Sequence, residues 1–123
     1  MYHAAAAMAA GHVLAVEEAA TQLLVSLGMR RSEALHALLP LTRQVLENLE
    51  RLGPRAAWTG PLSRGDYNVV RAHIDALRES PREFVHGYEA LSRLAARVLA
   101  QDTAGMLAEL EKCSVEEKQM QRR

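Results

Sequence analysis

From Met1 to Val16 the chain carries no formally charged side chain, and alanine is the commonest residue of that run. Alanine favours a helix above every other residue, so the run predicts one. A helix this poor in charge presents apolar surface to water if it stands alone. Whatever the chain folds into, something must lie against its first sixteen residues.

A membrane is one candidate, and the sequence argues against it. His3, Gly11 and His12 interrupt the run, and Glu17 and Glu18 close it. A spanning helix needs roughly 20 strongly apolar residues, and a secretory signal opens on a basic segment, which is lacking here. A helix packed on nearly all sides by protein fits better. Ala5, Ala6, Ala9 and Ala10 leave little side-chain bulk, so another backbone can approach closely. With Val13 and Val16 they form a predicted helix–helix interface, read as the contact of a homodimer.

The remaining segments predict helices too. Aromatic residues make up 4% of the chain, too few for a sheet-rich fold. Helix one is expected from about Tyr2 to Leu27, ended by Gly28. The second has Ser32 as N-cap and Glu33 in its first turn. Its apolar stripe reads Leu35, Leu38, Thr42, Val45, Leu46, Leu49 and Leu52, and Pro40 predicts a kink or break near His36–Leu39. Gly53-Pro54 stops it. After a loop to Asp66, which is placed to cap, the third helix presents Val69, Val70, His73, Ile74 and Leu77. Ser80-Pro81-Arg82-Glu83 reads as N-cap, first-turn proline and capping-box glutamate. The fourth presents Phe84, Val85, Tyr88, Leu91, Leu94, Ala95, Val98 and Leu99. Asp102 opens the last, with Met106, Leu107, Leu110 and Cys113, and Ser114-Val115-Glu116-Glu117 offers another capping box. The expectation is an all-α bundle of about five helices: one domain over residues 1–113 and a polar, fraying tail over 114–123.

Chemistry is sparse. Acidic and basic residues balance at 15 each, which gives no charge excess for nucleic acid or an anionic membrane. His3 and His12 lie nine residues apart in sequence, on different sides of one helix, and His36, His73 and His86 lack metal-ligand spacing; no metal is expected. The single Cys113 excludes an internal disulfide and fits a reducing, cytoplasmic setting. It reads as a half-buried structural thiol near the start of a weak helix. In Thr59-Gly60-Pro61-Leu62-Ser63-Arg64-Gly65-Asp66 the glycines permit a turn. Arg64 either pairs locally or offers a fork to a carboxylate. The Arg-Gly-Asp triplet as an adhesion signal rests on three residues and is set aside.

The order of these motifs resembles a family. Tyr2-His3-Ala4-Ala5-Ala6 opens a long helix; Glu33-Ala34-Leu35 and Leu38-Leu39-Pro40-Leu41 occupy the second; Asn48 precedes Leu52-Gly53-Pro54. Thr59-Gly60-Pro61, Arg64-Gly65-Asp66 and a helix with His73 and Leu77 follow. Together, over about residues 2 to 100, they resemble the C-terminal helical domain of bacterial Rossmann-like proteins of unknown function. Those are distant relatives of pyrroline-5-carboxylate reductases and deazaflavin-dependent NADP reductases, within the 6-phosphogluconate-dehydrogenase-like architecture. The resemblance implies a domain that supplies a homodimer contact and one wall of a cleft. His3, Thr59, Arg64 and Asp66 are then the candidate cleft residues. Two departures stand out: no Gly-x-Gly-x-x-Gly follows a strand, and Ala10-Gly11 stands where a polar Ser-Asn pair is expected. NAD(P) would bind only if a Rossmann domain came from another segment or chain, and no catalysis is expected from these residues alone. The alternative is a stand-alone adaptor that binds a protein partner through a helical surface.

Overall fold

The computed structural model describes the backbone of residues 1–120 and the side chains of residues 1–114. The described residues are helical with no strand. In order they form α1 (Tyr2–Ala7), a π-helical turn (Met8–His12), α2 (Val13–Ser26), α3 (Arg31–Leu52), α4 (Pro54–Ala57), α5 (Tyr67–Leu77), α6 (Arg82–Leu99) and α7 (Thr103–Met120). The all-α expectation holds. The chain divides into two compact units, Met1–Glu47 and Asn48–Arg123.

In the first unit, α2 ends as Gly28 predicts. Gly28 takes φ +99°; its N–H donates to the Val25 carbonyl at 2.9 Å and that of Met29 to Leu24 at 3.3 Å. This is the Schellman closure, which satisfies two carbonyls that the helix end leaves over. α3 starts one residue before the expected cap. Arg30 takes the cap position, with the Ala34 N–H on its carbonyl at 3.0 Å. Glu33 reaches back to the Arg30 N–H at 3.2 Å and also binds its guanidinium. Ser32 therefore lies inside the helix and does not cap it. α3 runs on through Pro40 without a break: the proline removes one backbone bond, and the turns on either side keep theirs.

Polar groups bridge α2 and α3. Arg31 grips Glu18 with both arms of its fork, at 2.9 and 2.5 Å, and Gln22 donates to the same carboxylate at 3.1 Å. Thr42 donates its hydroxyl to the Glu17 carboxylate, and Thr21 donates to the Glu17 carbonyl at 2.8 Å. Of residues 1–47, only Thr21 and Ala34 are buried.

The second unit has a true core. Val70 and Ile74 of α5, Ala96 of α6, and Leu110 and Cys113 of α7 are buried together, with Leu62, Tyr67, Val85, Tyr88, Met106 and Leu107 around them. α7 begins as expected, the Asp102 carboxylate accepting the Gly105 N–H at 2.9 Å. Gly105 makes room for this bond: a Cβ there would lie 2.1 Å from the Asp102 carboxylate.

Several sequence expectations change. Pro81 is the N-cap of α6 and Ser80 precedes it. Proline at the cap needs extended ψ, and Pro81 has ψ 142°. On α6 the core side holds Ser92 and Ala96, while Leu91, Leu94 and Val98 are exposed. The C-terminal part of the α3 stripe, Val45, Leu46, Leu49 and Leu52, is exposed as well. Ser114 starts no helix; it sits inside α7 and donates to Glu89 of α6 at 2.7 Å. Of the tail expected to fray, residues 121–123 lie outside the described residues.

Two outcomes follow from this packing. Ile74→Ala should lower unfolding free energy by about 2–5 kcal/mol, read by chemical denaturation. The second concerns pH. The Glu18 carboxyl is held well below its ordinary 4.5, at about 2, first by the Arg31 hydrogen bonds and then by that from Gln22. A carboxyl with its folded pKa depressed stabilises fully above its unfolded value and loses this as pH falls towards the folded one. Melting temperature should therefore drop between pH 4.5 and about 2, and Glu18→Gln should flatten part of that drop in circular-dichroism melts.

Candidate functional site

The opening helix is uncovered. Every residue from Met1 to Val16 is exposed in the single chain, so the packing on nearly all sides expected for this stretch is not made within one copy. Leu14 is the clearest case among the aliphatic residues, at 70% exposure. The interface residues named from the sequence, Ala5, Ala6, Ala9, Ala10, Val13 and Val16, all lie on this exposed stretch.

Their arrangement is altered by the π turn at Met8–His12. A π turn takes in one residue more than an α turn, so the helix beyond it is rotated by about 100° relative to unbroken α spacing. Ala6 would share a face with Val13 in a regular helix; across the turn it aligns with Leu14 instead. Sequence reasoning left Leu14 out for that reason. Nothing in Ala9-Ala10-Gly11 marks the insertion, since no bulky side chain shows which phase it obeys.

On α3, Leu41, Val45, Leu49 and Leu52 are exposed, at spacings that put them along one stripe. The helical part of the chain thus offers apolar surface along α1, the start of α2 and α3.

The Thr59–Asp66 segment is a compact turn. Gly60 takes φ +106° and Gly65 φ +69°, conformations open to glycine at little cost. The Gly60 carbonyl accepts the Ser63 hydroxyl at 2.7 Å and the Arg64 N–H at 3.4 Å, and the Asp66 N–H donates to Pro61 at 2.9 Å. These bonds hold Leu62 against the core of the second unit. Thr59, Arg64 and Asp66 are all exposed. The Arg64 guanidinium makes no hydrogen bond or ion pair among the described residues, so the local pairing considered for it does not form. Asp66 occupies the N-cap position of α5, but its side chain makes no cap bond; its carbonyl accepts the Val70 N–H at 3.2 Å. The backbone turn sets where α5 starts, and the carboxylate is left outward.

His3, the fourth candidate, is exposed on α1 with its ring edge-on to Tyr2 at 5.7 Å. It belongs to the first unit, and the other three belong to the second. His73 contacts the Tyr88 hydroxyl at 3.0 Å. Cys113 lies within α7, not near a helix start, and is 2% exposed. Its Sγ points to the Tyr67 carbonyl at 3.9 Å, a core contact. Among the described residues, no group of three or more His, Cys, Asp or Glu is assembled to hold a metal. No helix among them is long and apolar enough to cross a membrane.

The two aspartates at helix starts separate cleanly. Asp102→Ala should cost about 0.5–2 kcal/mol, the loss of a bonded cap. Asp66→Ala should stay within about 0.5 kcal/mol, as for surface changes that break nothing. Denaturant midpoints of the two variants check the contrast.

Comparison with known proteins adds a family. No curated protein and no solved structure matches the chain. A family match spans residues 1–95, from the exposed alanine helix through the glycine turn and into α6. Because that match takes in well over half of the sequence, the chain belongs to the family of the domain of unknown function DUF2520.

Proposed function

We propose that these residues are a helical dimerisation and substrate-side module of a Rossmann-like, NAD(P)-dependent oxidoreductase-type protein from a bacterial cytoplasm. Here the module makes a homodimer contact and one wall of a cleft, and it does not catalyse alone. The observation that carries the reading is the uncharged opening helix, exposed over its whole length. Exposed apolar surface of this extent marks an interaction site, and a stripe of alanines suits a second backbone better than a small molecule. The motif order from Tyr2 to Leu77 supports the oxidoreductase kinship, and the family match covers the same stretch. On this reading the nicotinamide cofactor is held by a Rossmann domain on another segment or chain. Thr59, Arg64 and Asp66 project from a rigid turn, with Arg64 free to take an anionic group by its fork.

A second reading, an adaptor that binds a protein partner through a helical surface, is favoured by one feature. Leu91, Leu94 and Val98 form an exposed stripe on α6, on a different element from the alanine helix.

Light scattering on the chain at high micromolar concentration should give twice the chain mass; a strictly monomeric mass contradicts the dimer. Ala6→Trp should shift the mass to one chain and cost about 1–3 kcal/mol from overpacking. An unchanged dimer with an unchanged melting temperature would show that Ala6 faces solvent in the assembly. Val98→Asp should leave the dimer intact, and its loss would move the contact to α6.

A further inference from the structure

The second unit contains a cleft of about 510 Å³ that the family motifs do not include. Its walls come from α4, Trp58, Ser63 of the glycine turn and the first residue of α5 on one side and from the α6–α7 corner on the other. A cavity of this size is within the range of small-molecule sites, roughly 300–1,000 Å³. Thr59, Arg64 and Asp66 are not among its lining residues.

The lining combines three kinds of group. Trp58 and Tyr67 supply aromatic surface, and Met106 lies beside them. Asp102 and Glu109 supply carboxylates, and Arg55 a guanidinium. Each carboxylate has one oxygen engaged: Asp102 Oδ1 with the Gly105 N–H at 2.9 Å, Glu109 Oε1 with the Lys112 ammonium at 2.7 Å. The second oxygen of each has no partner among the described residues. Arg55 lines the same cleft and pairs with neither. Lys112 offsets part of the Glu109 charge, but Arg55 and the two carboxylates do not pair with each other, so both signs are left to one ligand.

The two signs restrict what fits. A simple cation gains from Glu109 and Asp102 but is opposed by Arg55. A simple anion gains from Arg55 but meets two carboxylates. A molecule with both charges on a short apolar stem satisfies all three, and the stem lies against the rings, where an ammonium also gains from the aromatic face. We propose that this cleft binds a small zwitterion, its ammonium at Glu109 and Asp102, its carboxylate at Arg55, and its stem against Trp58 and Tyr67. Tyr67 gives separate support for the negative side: its phenol is pushed up, first by burial and then by the fields of Glu109 and Asp102.

The test uses three probes of one length, 5-aminopentanoate, pentylamine and pentanoate, titrated against the whole chain. Trp58 is the single tryptophan, so its fluorescence and indole N–H resonance report the cleft directly. The aminopentanoate should bind about tenfold or more tighter than either relative, the effect of one added charge-assisted contact. Arg55→Gln should bring its affinity down to that of pentylamine, and Glu109→Gln down to that of pentanoate. Both side chains lie outside the buried core, and unchanged circular dichroism confirms that the variants fold. Equal affinity for pentylamine and the zwitterion, affinity unmoved by Arg55→Gln, or no saturable Trp58 response overturns the proposal. None of these outcomes depends on oligomeric state, so this failure is separable from failure of the dimer.

Discussion

The first unit lacks an interior of its own, and its behaviour follows from that constraint. A unit of this size can bury little surface, and here the buried positions are only Thr21 and Ala34, one polar and one small. Its helices are joined by Glu18 to Arg31 and by Glu17 to Thr42. Such bonds fix where α3 runs along α2, but exposed ion pairs add little stability, about 0–1 kcal/mol each. Much apolar surface on α1, the start of α2 and the C-terminal part of α3 is exposed, while Leu23, Leu24, Leu35 and Leu38 are half-buried. The polar bridges thus set geometry, and on the proposed dimer reading the missing hydrophobic stabilisation comes from a second copy.

The second unit is built the opposite way. α5, α6 and α7 enclose branched and sulfur-bearing side chains, and polar groups serve the corners: Asp102 at the start of α7, Ser114 between α7 and Glu89, Thr103 on the Ala96 carbonyl at 3.2 Å. The glycine turn belongs to this design. It delivers Leu62 to the core and leaves Arg64 and Asp66 outside. A rigid support with outward polar groups is what the proposed cleft wall would require.

Much of the helical order is legible in the sequence because it rests on local chemistry. Gly28, Gly53, Gly60 and Gly65 all adopt positive φ where stops and turns are read, and Asp102 caps as its position suggests. Faces are less legible. On α6 the core accepts Ser92 and Ala96, since close helix approach favours small residues there, and the larger Leu91, Leu94 and Val98 are displaced outward. A count of apolar periodicity cannot distinguish these two stripes. The π turn is hidden for a related reason: alanine and glycine carry no bulk to reveal a change of phase. The cleft at Trp58 and Glu109 escapes notice because its walls are some fifty residues apart in sequence, joined only once α5, α6 and α7 pack.

The account stands or falls on whether a second copy covers the opening helix. Hydrogen exchange of the backbone amides from Ala5 to Leu14, followed by mass spectrometry across a dilution series, tests this most directly. Protection that rises with protein concentration in this segment, while the α5–α7 core stays constant, is the predicted result. Exchange in this segment that is equally fast at every concentration would contradict it.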